Sequence, residues 1–157
     1  MLGRAAGLAA LRARIRAIEL GAADAPGALV PFAVAAIDDV LPGGGLVRGA
    51  LHEIVAETVI SGAATGFAAA LAAHLATPAR PLVLWCLSGN DLYAPGLPAF
   101  GLDPARLLVV RARRPAEALW VAEEGLRAGC LAAVVCESDA VDLVASRRLQ
   151  LAARARD

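Results

Sequence analysis

The sequence contains no lysine, because all 15 basic residues among its 157 are arginine. This absence excludes Schiff-base catalysis, which needs a lysine amine. It also excludes an intact Walker A phosphate loop, since that motif uses a lysine to reach the terminal phosphates of a nucleotide. The sequence therefore argues against an ordinary P-loop nucleotide hydrolase.

Net charge, cysteine pairs and long apolar runs are also lacking. The formal net charge is +0, so the chain has no overall attraction to nucleic acid or to an anionic membrane. The 3 cysteines form no CxxC motif and are not spaced for metal binding with His52 or His74, which argues against a disulfide framework and a structural zinc site. Free thiols suit a reducing compartment, so we expect a cytoplasmic protein. No run of about 18 apolar residues occurs, and no membrane span is predicted.

The chain has the length and composition of one compact domain, with 59% hydrophobic residues. We expect an N-terminal helix over residues 1–20, whose apolar stripe includes Leu11 and Ile15. Residues 21–31, rich in Gly, Ala and Pro, are expected to link this helix to a core over residues 32–157.

Apolar segments alternate with helical patterns through the core, which is typical of an α/β fold. The patterns predict helices at 32–41, 63–76, 115–127 and 140–154, and strands at 50–55, 81–87, 107–111 and 131–136. The strands near residues 83 and 133 are continuously apolar, as in a parallel sheet covered on both faces. Pro115 and Gly129 suit the two ends of the third helix, and Ser138 or Asp139 is expected to cap the last one.

The segment before the second predicted helix is where such a fold would hold a phosphate. If Gly62 stands for the second glycine of GxxxxGK[ST], the first glycine falls on Glu57, the lysine on Ala63 and the Ser/Thr on Ala64. Ala63 cannot neutralise a phosphate, Ala64 cannot ligate magnesium, and Glu57 would repel a triphosphate. We therefore expect a degenerate phosphate loop, and no cofactor.

Glu137 directly follows the predicted strand at 131–136, where a Walker B acid would stand. Without the lysine such an acid has little catalytic use. We expect it instead to complement the positive end of the last helix, and we predict no metal site.

Two groups of arginines are candidate contacts for a partner protein or for DNA. These are Arg111, Arg113 and Arg114 after a strand, and Arg147 and Arg148 on the last helix. Arginine binds carboxylates and phosphates through two parallel hydrogen bonds. The alternative is a solvated surface on which these arginines pair with Glu117, Glu123 and Glu124.

Three segments carry a resemblance to known proteins. GGGLVRGALHEI (43–54) resembles the entry to the RecA core, whereas FGLDPARLLVVRARRPAEALWVAEEGLRAGCLAAVV (100–135) and ASRRLQLAA (145–153) resemble the ImuA family of bacterial SOS mutagenesis proteins. The resemblance extends from residue 32 to about residue 155, nearly the whole chain.

This resemblance implies a RecA-like, P-loop-type parallel sheet whose phosphate loop is degenerate. It implies a non-catalytic adaptor in error-prone translesion synthesis that responds to DNA damage. The implied partners are ImuB, an inactive relative of Y-family polymerases, together with RecA and an error-prone DNA polymerase III alpha-type subunit. Any contact with DNA would be indirect. The arginine groups and the N-terminal helix, with Leu11 and Ile15, are the surfaces that we expect to bind these partners.

The chain departs from the family pattern at its C-terminal end. The resemblance implies a chain longer than 157 residues. In RecA-like folds a further strand follows the strand that carries the carboxylate. We therefore expect the C-terminal strands to be lacking, and the open sheet edge to promote self-association.

Two other functions stay open from the sequence. One is a cell-division inhibitor of the SulA type, which also acts by binding. The other is a nucleotide hydrolase that replaces the missing lysine by an arginine clamp, with Arg48 or Arg80 as the clamping residue.

Overall fold

The computed structural model describes residue 7 and residues 28–56, 62–138 and 141–154. Leu11 and Ile15 of the predicted N-terminal helix lie outside these residues. The described elements are β1 (Leu29–Val30), α1 (Ala35–Asp38), β2 (Leu46–Val47), α2 (Ala63–Leu75), β3 (Leu82–Leu87), β4 (Leu107–Arg111), α3 (Pro115–Ala128), β5 (Leu131–Cys136) and α4 (Leu143–Arg154). Two 3-10 helices, Ala94–Phe100 and Pro104–Arg106, connect β3 to β4.

The main sheet has three parallel strands in the order β4–β3–β5. The register places Trp85 of β3 between Val109 of β4 and Val135 of β5. Strands β1 and β2 form a separate antiparallel ribbon. The predicted α/β fold with a parallel sheet flanked by helices is confirmed in this coarse form.

Side chains of β3 alternate between two apolar clusters, one on each face of the sheet. Val83, Trp85 and Leu87 pack on the face covered by α2, where alanines of the helix allow close approach. Leu84 and Cys86 pack on the face covered by α3 and α4. Both faces of the central strand are therefore shielded from water, as its continuously apolar sequence predicts.

The ends of α3 follow the predicted signals. Pro115 is the first residue of the helix, and Gly129 ends it in the left-handed conformation with φ 69°. The start of α4 differs from expectation, because the helix begins at Leu143. Asp142 caps it, accepting a hydrogen bond from the Ala145 amide at 2.7 Å. The expected cap at Ser138 or Asp139 is wrong, and Asp139 lies outside the described residues.

The predicted helix at 32–41 is reduced to the four residues of α1. The carboxylate of Asp38 accepts hydrogen bonds from the amides of Phe32 and Val34, which holds the chain before the helix in a turn. Ala33, with φ 59°, lies in the left-handed region and cannot continue a right-handed helix.

The predicted strand at 50–55 is wrong for the described residues. Residues 51–56 form no ladder, and all six are exposed. Apolar β-branched residues become a strand only where a neighbouring strand accepts their backbone hydrogen bonds. In the part of the chain that the structure describes, β5 pairs with β3 alone, and residues 51–56 do not pair with its open outer edge. The sheet therefore does not show the strand that would precede a RecA phosphate loop.

Within the residues that the structure describes, every helix is too short or too polar to cross a membrane.

The three cysteines provide a test of the sheet. Burial, together with the neighbouring Cys136, raises the pKa of the Cys86 thiol to about 12, and burial beside Glu137 raises that of Cys136 to about 11. Both stay protonated at pH 8, whereas Cys130 is exposed. We predict that a thiol-alkylating reagent at pH 8 modifies Cys130 first and reaches the other two only in denaturant. Mass spectrometry of peptides would show this order, and rapid native labelling of Cys86 would contradict the packing.

Candidate functional site

The residues at the phosphate-loop positions stand at the start of α2. Gly62 immediately precedes the helix, Ala63 and Ala64 are its first two residues, and Glu57 lies outside the described residues. Gly62, at the N-cap position, has no side chain that could cap the helix. The methyl groups of Ala63 and Ala64 supply neither a positive charge nor a hydroxyl, so these positions lack the chemistry that holds a magnesium–nucleotide complex.

Glu137, at the Walker B-like position, binds a buried indole. Its Oε1 accepts a hydrogen bond of 2.7 Å from Trp85 Nε1, and its amide donates to the Cys86 carbonyl at 2.9 Å. Trp85 is fully buried, so the carboxylate satisfies an indole N–H that no water reaches. Because α4 begins six residues later, Glu137 does not complement the start of that helix. Through these two hydrogen bonds, Glu137 joins the C-terminal end of β5 to the central strand β3.

The first arginine group is partly occupied by contacts at the start of α3. Arg114 forms an ion pair of 2.6 Å with Glu117, and the Arg113 amide donates to the same carboxylate at 3.0 Å. The hydrogen bond from the Arg114 side chain lowers the pKa of Glu117 below its usual value. Arg111 is exposed at the end of β4. For Arg114, the structure has the pairing with Glu117 that the solvated-surface alternative describes.

The second arginine group is divided between two roles. Arg148 forms an ion pair with Glu123 of α3, a carboxylate that is only 3% exposed and that also contacts Arg127 at 2.5 Å. Arg127 in turn contacts Glu124 at 2.9 Å. Arg147 faces away from this cluster, and its Nη1 lies 3.5 Å from Gln150 Oε1. Arg148 therefore holds α4 against α3, whereas Arg147 is presented to solvent.

Exposed apolar side chains beside Arg147 are the feature that the sequence analysis missed. Leu143, Val144 and Leu151 of α4 are exposed, as is Trp120 of α3. The available signal was the position of these aliphatic residues on the same side of a helix as an arginine. Their exposure depends on which side of α4 packs against α3, which the spacing alone does not determine.

Among the described residues, no group of three or more His, Cys, Asp or Glu side chains is arranged to hold a metal ion.

Comparison with known proteins identifies relatives. Two curated proteins, both called Protein ImuA and from two strains of Caulobacter vibrioides, are 40% identical to this chain over 134 residues. The match covers 83% of this chain. The chain belongs to the ImuA family. It spans 55% of the length of these relatives.

One solved structure similar to this ImuA-family chain is SulA from Pseudomonas aeruginosa. The two share 26% sequence identity and superpose with a TM-score of 0.52, over 64% of this chain and 85% of SulA. No model of a protein family matches the sequence. The SulA likeness supports the α/β architecture described above.

The role of Glu137 predicts the effect of two substitutions. Glu137→Ala leaves the buried Trp85 indole N–H without its acceptor, and we expect the free energy of unfolding to fall by about 1–3 kcal/mol. Glu137→Gln keeps an acceptor oxygen and should cost distinctly less. Urea unfolding followed by tryptophan fluorescence measures both variants. Equal effects of the two substitutions would mean that the hydrogen bond contributes little.

The adjacent arginines of α4 form a matched pair for a second test. Arg148→Ala leaves the buried Glu123 carboxylate with one partner fewer, and we expect a loss of about 1–3 kcal/mol in unfolding free energy. Arg147→Ala removes an exposed side chain and should change it by less than about 0.5 kcal/mol. Thermal unfolding followed by circular dichroism compares the two. A greater loss for Arg147→Ala would reverse the assignment.

Proposed function

We propose that this ImuA-family chain is a non-catalytic accessory protein of SOS-induced, error-prone translesion DNA synthesis, and that it acts in the cytoplasm through protein contacts. The observation that carries the proposal is its 40% identity to Protein ImuA over 83% of its length. The lack of lysine and the alanines at positions 63 and 64 support a binding role rather than nucleotide hydrolysis.

The geometry does not favour an arginine clamp at Arg80. This residue lies in the turn Thr77–Arg80, just beyond the C-terminal end of α2, whereas Gly62 stands at the other end. A helix of 13 residues is about 20 Å long, which is more than an arginine side chain can span. Arg48 lies next to the β1–β2 ribbon, which approaches α2 through the stacked rings of Phe32 and Phe67, and it is the arginine to test for hydrolysis.

The proposed partners are an ImuB-type relative of Y-family polymerases, RecA, and the error-prone polymerase III alpha-type subunit. Direct binding to DNA is not part of the proposal, because the net charge is zero and arginines 114, 127 and 148 are paired with carboxylates. The proposal includes self-association of the isolated chain, since both edges of the three-stranded sheet lack a further strand among the described residues.

A second candidate function follows from the structural neighbour. The likeness to SulA, at a TM-score of 0.52, favours a SulA-type cell-division inhibitor as the alternative. Such an inhibitor also acts by binding, so an inactive phosphate loop does not separate the two functions. The identity of the protein that is bound does separate them.

We predict that the purified chain captures ImuB or RecA in a pull-down, and that ATP and single-stranded DNA do not change the amount captured. Nucleotide independence is expected because the phosphate-binding side chains are absent. The tubulin-like division protein serves as the competing bait, and its capture alone would favour the SulA-type function.

The same preparation tests hydrolysis. Magnesium-dependent ATP hydrolysis that is lost in Arg48→Ala would overturn the non-catalytic proposal. Circular dichroism of each sample establishes that the protein is folded, so failure to capture either ImuB or RecA would count against the adaptor role.

A further inference from the structure

One side of α4 is buried against the protein and the opposite side is unusually apolar for a free surface. Leu149 and Ala152 are the buried residues of this helix. Successive residues are about 100° apart around a helix, so Leu143, Arg147, Leu151 and Val144 fall within one arc of about 100° on the other side. The exposed fractions of the three aliphatic side chains are 89% for Leu143, 69% for Val144 and 50% for Leu151.

Trp120 of α3 extends this surface. Both helices follow strands of the parallel sheet and pack on the same face, so they run in the same direction. The ion pair between Glu123 and Arg148 fixes their alignment. Trp120 precedes Glu123 by about one turn, and Val144 precedes Arg148 by one turn. The indole, which is 59% exposed, therefore lies at the same level as Val144 along the helix pair.

The charge that α4 contributes to this surface is positive. Helix α4 carries three arginines and no acidic residue. Arg148 is neutralised by Glu123, but Arg147 forms no ion pair with any of the residues that the structure describes. The surface thus combines an exposed tryptophan and a row of aliphatic side chains with an arginine whose guanidinium is available to an incoming carboxylate.

We infer that this outer α3–α4 face, formed by Trp120, Leu143, Val144, Arg147 and Leu151, docks an acidic amphipathic helix of a partner protein. The inference rests on the proposed function, that of a protein acting through partner contacts. The aliphatic row packs against the apolar stripe of the partner helix, and Arg147 binds a carboxylate at the border of that stripe.

Two other occupants fit the surface less well. A nucleic acid backbone would gain nothing from Leu143, Val144 and Leu151, because phosphates do not bind aliphatic side chains. Among the described helices, a second copy offers α1 as an acidic helix, but its four residues cannot line a helix of 12 residues. In α3, Glu117 and Glu123 are already bound to arginines.

Tryptophan fluorescence tests the inference without knowledge of the natural partner. The probe is a designed helical peptide of about 18 residues with leucines on one stripe, glutamates beside it and no tryptophan. Because Trp85 is fully buried, a change in emission reports on Trp120. We expect saturable binding with a Kd on the order of 100 µM that weakens at high salt. A peptide with arginine in place of each glutamate should not bind.

Variants of the chain locate the binding site. Arg147→Glu and Leu151→Ser should each raise the Kd at least about tenfold, because each removes one of the two kinds of contact. Arg106→Glu, a charge reversal at an exposed arginine outside the face, is the matched control and should leave the Kd unchanged. Both changes on the face are at exposed positions, and circular dichroism verifies that each variant is folded.

Several outcomes would overturn the inference. These are no binding of the acidic peptide at about 1 mM, equal binding of both peptides, and binding that Arg147→Glu does not weaken. Arg147-dependent binding of a single-stranded oligonucleotide in place of the peptide would identify a nucleic acid site. Arg147-dependent dimerisation in light scattering, without peptide binding, would identify an interface between copies.

The pull-down separates this inference from the proposed function. If ImuB or RecA is captured equally well by Arg147→Glu and the acidic peptide does not compete, the docking face is wrong and the adaptor function stands. If the acidic peptide binds as expected but neither protein is captured, the docking face stands and the proposed function fails.

Discussion

Strand β3 pairs with a parallel strand on each side, so both of its edges are hydrogen-bonded. Its apolar side chains point to the two faces of the sheet, and both faces must be covered. Its alternating side chains meet this requirement by dividing between α2 on one face and the α3–α4 pair on the other. The large indole of Trp85 is the most demanding group in this arrangement, because its N–H is buried with it. Glu137 supplies the acceptor from the end of β5 and thereby fixes the place of that strand. The positions of α2, α3, α4 and β5 are thus all related to the burial of β3.

The parts of the fold that sequence predicts are those with local physical causes. Continuous apolar runs predict β3 and β5, since only strands covered on both faces tolerate them. Pro115 and Gly129 predict the limits of α3, because each has a backbone preference that a helix end requires. The strand at 50–55 fails for a non-local reason, since a strand needs a paired neighbour and residues 51–56 pair with no strand among the described residues.

The candidate site shows the same division between local and distant causes. The chain between Cys136 and α4 contains several acids, and propensity alone does not tell which one caps the helix and which one turns inward. Asp142 caps, whereas Glu137 binds an indole 52 residues earlier in the sequence. Similarly, Arg147 and Arg148 are equivalent candidates in the sequence. Their roles differ only because adjacent residues of a helix point about 100° apart, and because the buried Glu123 carboxylate forms an ion pair with Arg148.

The different contacts of these side chains determine which surfaces of the domain are not used in its packing. In nucleotide-binding P-loop domains the ligand lies at the carboxyl edge of the sheet, where the lysine, the hydroxyl and the acid converge. Here the first two positions hold alanines, and Glu137 near that edge is bound to Trp85. The acid near this edge therefore satisfies a buried group of the core. Arg148, through Glu123, likewise serves the packing of α4, and this leaves the outer side of the helix, with Arg147 and three exposed aliphatic residues, unconstrained by the fold. A helix fixed through one side by an ion pair can vary its other side at little cost in stability, because exposed side chains away from the packing contribute little to the free energy of unfolding.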